Sequence, residues 1–212
     1  MRTIRLDQRA LYTLALFVVV LTGCASSPSS KFYQLNPVQN KTSVSDVSPH
    51  NSLVIVIGPV RIPDYLDRPQ IVTRSGKNEL KLSEFDRWAG SLESDVTSVL
   101  VEDISSLLPA DLFSVVRWTP YPEGQVPASY RVEVLVDRFE GTPGDSVLLK
   151  AQWGVFAANR SLLLKKVSLI SEQINGSSYD ALVAAMSSAL ERLGRDISRG
   201  INSVLQQEPT RK

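Results

Sequence analysis

Tyr130-Arg131-Val132-Glu133-Val134-Leu135-Val136-Asp137 alternates apolar and polar side chains. A strand turns successive side chains to opposite faces, so this period of two predicts a strand with one face in a core and one toward solvent. Much of Val147 to Phe156 alternates in the same way, and Leu162 to Ile174 gives a third segment. Gly141-Thr142-Pro143-Gly144-Asp145 and Ala158-Asn159-Arg160 punctuate the three, which predicts an antiparallel meander. Ser177-Ser178-Tyr179-Asp180 then has the Ser-x-x-acid form of a capping box. Behind it Leu182, Met186, Leu190, Leu193, Ile197, Ile201 and Val204 recur at steps of three and four, the stripe of an amphipathic helix. That stripe either packs on the sheet or, from Ile197 to Leu205, meets another subunit. Gly194 and Gly200 do not forbid the helix, although each costs about 1 kcal/mol against Ala.

Working upstream, Leu53-Val54-Ile55-Val56-Ile57 is an aliphatic run of the kind found in strands buried on both faces. Lys31 to Leu35 is a short strand candidate. Gln70 to Arg74 and Glu79 to Leu82 flank Ser75-Gly76-Lys77-Asn78, as in a hairpin. Ser83-Glu84-Phe85-Asp86 reads as a second capping box, with Phe85, Trp88, Leu92, Val96, Val99, Ile104 and Leu107 behind it as a helical stripe. Pro109 ends that helix, and Phe113 to Trp118 is a further strand. The order β-β-β-β-α-β-β-β-β-α predicts an α+β fold, a mixed and largely antiparallel sheet covered by two long helices in a single domain.

The chain has 212 residues, 43% of them hydrophobic and 21% charged, with mean hydropathy -0.03. This is the composition of a globular domain that buries a real core. Twenty-three Lys and Arg against 22 Asp and Glu exclude the usual electrostatic nucleic-acid binder. One cysteine excludes an internal disulfide and any multi-cysteine metal site, and the single histidine, His50, excludes a His-rich centre.

Arg2, Arg5 and Arg9 precede an uncharged run from Ala10 to Leu21, which is too short to span the ~20 residues that a bilayer requires. It has the length of a secretory h-region. Leu21-Thr22-Gly23-Cys24 follows and resembles the lipobox of bacterial lipoproteins, in which the thiol is alkylated by a diacylglyceryl group and the chain is cut before it. The expected organisation is a signal peptide over 1–23, a lipidated Cys24 and flexible Ser/Pro/Ala tether over 24–30, one α+β domain over 31–207 and a tail over 208–212. In lipoproteins of this type an Asp after the cysteine signals inner-membrane retention. Ala25 stands there instead, which points to the outer membrane, with the domain facing the periplasm.

A Ser–His–acid triad would need His50, which lies in a Pro/Ser-rich loop, whereas a catalytic base needs a rigid surround. There is no Gly-x-Ser-x-Gly, P-loop or dinucleotide fingerprint. Glu93, Asp95, Glu102 and Asp103 lie along the first long helix and read as its solvated face. Paired hydrolase carboxylates are the sharper alternative. Among the aromatics Tyr65 stands out. Ile62-Pro63-Asp64-Tyr65-Leu66 is a proline-fixed turn that could present a large ring outward, as interface anchors do. Pro63, Asp64, Tyr65 and Leu66 are therefore the partner-binding candidates.

Taken together these stretches resemble the PqiC-type family, the auxiliary lipoprotein components of ABC-type lipid transport systems. The resemblance runs through the lipobox at Cys24, Phe32-Tyr33-Gln34-Leu35, and Val60-Arg61-Ile62-Pro63-Asp64-Tyr65-Leu66-Asp67-Arg68-Pro69. It continues with Arg87-Trp88-Ala89 through Leu107-Leu108-Pro109, Val132-Glu133-Val134 with Phe139-Glu140-Gly141, Trp153 and Tyr179. It covers nearly the whole of the chain after Cys24. It implies a non-enzymatic outer-membrane lipoprotein that docks, as a homo-oligomer, the end of an MCE-domain (PqiB-like) transport protein, in a system that bridges the two membranes and moves phospholipid. It implies no catalytic residues and no cofactor beyond the covalent diacylglyceryl and acyl groups on Cys24. Two other functions stay open on the residues alone. One is a periplasmic lipid-carrying module with an apolar cavity; the other is a cell-envelope hydrolase using His50, Glu93 and Asp95.

Overall fold

In the computed structural model, which describes residues 29–37, 53–119 and 128–207, the elements run β1 (Lys31–Tyr33), β2 (Leu53–Arg61), β3 (Gln70–Arg74), β4 (Leu80–Trp88), α1 (Leu92–Leu107), β5 (Phe113–Arg117), β6 (Tyr130–Gly141), β7 (Ser146–Ala157), β8 (Leu162–Gln173) and α2 (Tyr179–Gln207). This is the element order read from the sequence. The eight strands form one mixed sheet with two helices in a single domain. The long ladders, β6 with β7 and β7 with β8, are antiparallel, as the alternating segments predict. Four shorter pairings are parallel: β1 with β4, β2 with β5, β2 with β6, and β3 with β6.

Strand β6 organises the sheet. One of its edges carries β7; the other carries β2 along Tyr130–Leu135 and then β3 at Gly141. Strand β2 lies between β5 and β6, and Ile55, Val56 and Ile57 are all buried. Its ladder with β6 breaks between Ile57 and Val60. There Gly58 takes φ +118°, and a Cβ on it would lie 2.9 Å from the Cβ of Trp118, so only glycine fits both the dihedral and the space.

Both helices lie on one face of the sheet. Helix α1 packs on β2 and β5, α2 on β6, β7 and β8, and the two pack on each other. Every residue of the predicted α2 stripe is buried, including Ile197, Ile201 and Val204. The far end of the helix is therefore taken up by the domain's own core rather than left for a second subunit. The side chains of β6 and β8 alternate accordingly. Val134, Val136, Ser168 and Ile170 face the helices, whereas Leu135, Val167 and Leu169 are exposed on the bare face.

Two helix starts differ from the sequence reading. Ser83-Glu84-Phe85-Asp86 does not open a helix. Ser83 Oγ accepts from the Asp86 N–H at 3.0 Å, the bond a capping box would make, but within β4, where the register with β3 slips between Gln70–Arg87 and Val72–Leu82. The same local hydrogen bond serves a bulge as well as a cap. Helix α1 begins at Leu92, and its N-cap Ser91 accepts from the Ser94 N–H. Likewise α2 is capped by Ser178, which accepts from the Ala181 N–H at 3.1 Å, one residue after the predicted Ser177.

The tightest helix–sheet approach is at Gly200. A Cβ there would come within 2.5 Å of the Trp153 ring, and that indole is held by its N–H donating to Ser168 Oγ at 3.0 Å, which in turn donates to Asp196 at 2.8 Å. Gly200→Ala gains about 1 kcal/mol of helix propensity but must displace a fixed ring, which costs typically 1–3 kcal/mol. We expect the clash to win and thermal unfolding of the variant to begin lower than in wild type. An unchanged or raised midpoint would show that the indole can move.

Candidate functional site

The turn after β2 is built by local hydrogen bonds: the Leu66 N–H to Pro63 O at 2.9 Å, Asp67 N–H to Asp64 O at 3.3 Å and Arg68 N–H to Leu66 O at 2.8 Å. Pro63 supplies the carbonyl that closes this turn, with Asp64 and Tyr65 at its corner. Beyond it the Trp88 N–H donates to Pro69 O at 2.7 Å and ties the exit of the turn to β4. The four candidates are thereby sorted. Leu66 is buried, Pro63 and Tyr65 are half-buried, and Asp64 is exposed.

Tyr65 is not presented outward. Its hydroxyl donates to Glu140 Oε2 at 2.7 Å. Glu140 is the hub of the site, with its side chain 0% exposed. Its Oε1 accepts from Arg74 Nε at 2.8 Å and from Arg138 Nε and Nη2 at 3.0 and 2.8 Å, and Oε2 also accepts from the Phe139 N–H at 3.1 Å. Burial alone would raise the Glu140 pKa. The hydrogen bonds from Tyr65, Arg138 and Arg74, with the Arg138 charge, outweigh burial and hold it below its ordinary value. The Tyr65 hydroxyl is pushed well up, first by burial and then by its bond to the carboxylate. Arg74 reaches on to Lys77 O at 3.0 Å in the β3–β4 turn, so one carboxylate joins the 63–69 turn, the hairpin and the β6–β7 corner.

This arrangement fixes the position of the turn. Both Glu140 oxygens are engaged by the protein itself, and the part of the turn left for a partner is Asp64 with its exposed neighbours Arg61, Asp67 and Pro69. Sequence reasoning singled out Tyr65 but missed Arg74, Arg138 and Glu140. Glu140 lies 75 residues from Tyr65 and 66 from Arg74, and only the pairing of distant strands brings these together, whereas Arg138 stands two residues before Glu140 on the same strand.

The acids of α1 do not form the expected solvated face. Glu93 and Glu102 are exposed, but Asp95 and Asp103 are buried. Because Glu93 and Asp95 point to different sides of the helix, they are not set as a hydrolase pair. Cys24 and His50, with the 1–23 and 24–28 segments, lie outside the described residues. Among the described residues no group of three or more His, Cys, Asp or Glu could hold a metal ion, and no helix is long and apolar enough to cross a membrane.

A family model described as the ABC-type transport auxiliary lipoprotein component matches residues 33–198. The chain is 25% identical over 182 residues to the intermembrane transport lipoprotein PqiC of Escherichia coli (strain K12), covering 85% of this chain and 91% of that protein, and it matches the Shigella flexneri PqiC equally. Among solved structures, an uncharacterized protein superposes with TM-score 0.66 at 20% identity over 82% of this chain and 99% of its own. A Xanthomonas campestris protein superposes with TM-score 0.62 at 14% identity over 87% and 98%. These two likenesses are of fold.

Proposed function

Because this chain belongs to the family of ABC-type transport auxiliary lipoprotein components, we propose that it is the non-enzymatic outer-membrane docking component of an intermembrane phospholipid transport system. In this reading it is anchored through lipidated Cys24, faces the periplasm, assembles as a homo-oligomer and receives an MCE-domain partner. The observation that carries the proposal is the near full-length match to two proteins named intermembrane transport lipoproteins. Cys24 after Leu21-Thr22-Gly23, with Ala25 behind it, supports the anchor and its membrane. The site supports docking rather than chemistry, since its one buried carboxylate is saturated by Tyr65, Arg74, Arg138 and a backbone N–H.

The docking contact falls on the exposed part of the 63–69 turn, with Asp64 as its centre and Pro63, Tyr65 and Leu66 as the frame that holds it. In-cell crosslinking of the full chain, followed by affinity purification and mass spectrometry, tests this. An MCE-domain protein is expected among the crosslinked partners. It should be lost with Cys24→Ala, which releases the protein from membranes, and reduced with Asp64→Lys at an unchanged thermal midpoint. Recovery of only the chain itself and abundant envelope proteins would overturn the reading.

A further inference from the structure

Phe32 is 66% exposed, in the first strand of the fold and eight residues after Cys24. Among the described residues β1 pairs only with β4, its other edge carries no strand, and most of the Phe32 ring is left uncovered. Directly across the ladder from Phe32 is Arg87, and next to it in sequence is Lys31. Neither cation has an ion pair or side-chain hydrogen bond among the described residues, and Arg87 Nε is without an acceptor. Beside the strand a groove of about 500 Å³ runs between Phe32–Pro37 and α2, floored by Val183, Ala184, Ser187 and Ser188, with Asp180 at the start of the helix as its one charged residue among those described. Arg87 shares the face of Phe32, whereas Lys31 stands on the other face of the strand, across the ladder from Asp86. An exposed ring with one cation on its own face and a second beside it at the start of the strand, next to a groove of mixed polarity, has the chemistry of the bilayer interface: the ring enters the acyl boundary and the cations meet phosphate.

The tether decides the occupant. Eight residues reach at most about 28 Å when extended. A lipid on Cys24 therefore keeps Phe32 within a short distance of the membrane. A tether this short supplies an effective concentration of the order of millimolar, at which a contact too weak to hold a free protein is populated. We propose that Phe32, flanked by Lys31 and Arg87, is a second, non-covalent membrane contact that docks the β1 edge of the domain on phospholipid and so fixes how the rest of the fold is presented. This rests on the lipid anchor at Cys24.

The same cysteine makes the test clean. Once the Cys24 sulfur is a thioether, Phe32→Cys creates the only free thiol, as Leu169→Cys does at a similarly exposed position (68%) on the β8 edge across the sheet. The full-length lipidated variants are labelled with an environment-sensitive maleimide dye and reconstituted in phosphatidylethanolamine–phosphatidylglycerol vesicles, with and without bromine on the acyl chains. A blue-shifted emission at position 32, with a quenching loss several-fold larger than at position 169, is the expected result. Solvent-like emission at both positions, or equal quenching at both, overturns the contact while leaving the anchor standing. If wild-type protein itself takes up the dye at Cys24 and washes off the vesicles, the anchor has failed, and the contact that rests on it falls too.

Discussion

Glu140→Ala is expected to lower stability by about 3–5 kcal/mol, the usual cost of removing one partner from a buried ionic cluster. The loss exceeds that of an ordinary surface ion pair because the carboxylate is wholly buried and answers two guanidinium groups, a phenol and a backbone N–H at once. Without it Arg74 and Arg138 face each other with no anion between them, and the Tyr65 hydroxyl loses its acceptor. Tyr65→Phe, by contrast, removes one of several bonds to a carboxylate that stays satisfied, and should cost about 1 kcal/mol. At about 2–4 °C per kcal/mol for a domain of this size, the Ala variant should melt about 10 °C below wild type. Acid titration gives a second readout. The folded-state pKa of Glu140 is depressed, so its contribution is present above the ordinary value of 4.5 and is lost as pH falls through the folded value. That acid limb should flatten in the variant. A melting point within experimental scatter of wild type would mean that the arginines find other acceptors and that the turn does not depend on the cluster.

What the sequence makes legible divides along a physical line. Local periodicity reports which face of an element is apolar, and that sufficed for the order of the eight strands and two helices and for the α2 stripe, although it carried Phe85 and Trp88 of β4 into the first helix. Local hydrogen-bonding motifs are less discriminating. Ser83 and Asp86 bond as a cap would, yet in a strand, whereas Gly90 immediately before Ser91 was the better marker of where α1 could start. Pairings between distant strands leave no local trace. Nothing near Tyr65 announces Glu140, and the parallel β2–β6 ladder that aligns them brings together segments more than seventy residues apart. The orientation of Tyr65 was therefore misread. Phe32 lay in a recognised motif, but that its ring would stay outside the core could be seen only once β1 was placed at the sheet edge.

Asp103 was legible in principle. It falls seven residues after Val96 and four after Val99, on the apolar stripe of α1 rather than its wet side. It is 1% exposed, both carboxylate oxygens lack a hydrogen-bond partner among the described residues, and its Cβ lies 3.2 Å from where one would stand on Gly194 of α2. Burial first, and then the charges of Glu191 and Glu102, raise its pKa from 3.8 to about 7, with Arg195, ion-paired to Glu191 at 3.0 Å, opposing them. A raised carboxyl pKa means that the folded state holds a proton which the unfolded chain has released. Stability should therefore fall as pH rises between about 4 and about 7 and level off above. At about 1.4 kcal/mol per pKa unit the full shift corresponds to at most about 4 kcal/mol, and relaxation around the charged form brings the expected range to about 2–4 kcal/mol. Asp103→Asn keeps the shape and cannot ionise. It should match wild type in mild acid and exceed it by that amount at about pH 8. The unfolding free energy of the two proteins, compared across this window, isolates the group, because His50 and every other titrating residue are common to both. If the two curves run parallel, Asp103 is charged in the fold at neutral pH, and the α1–α2 interface carries that charge by means other than a retained proton.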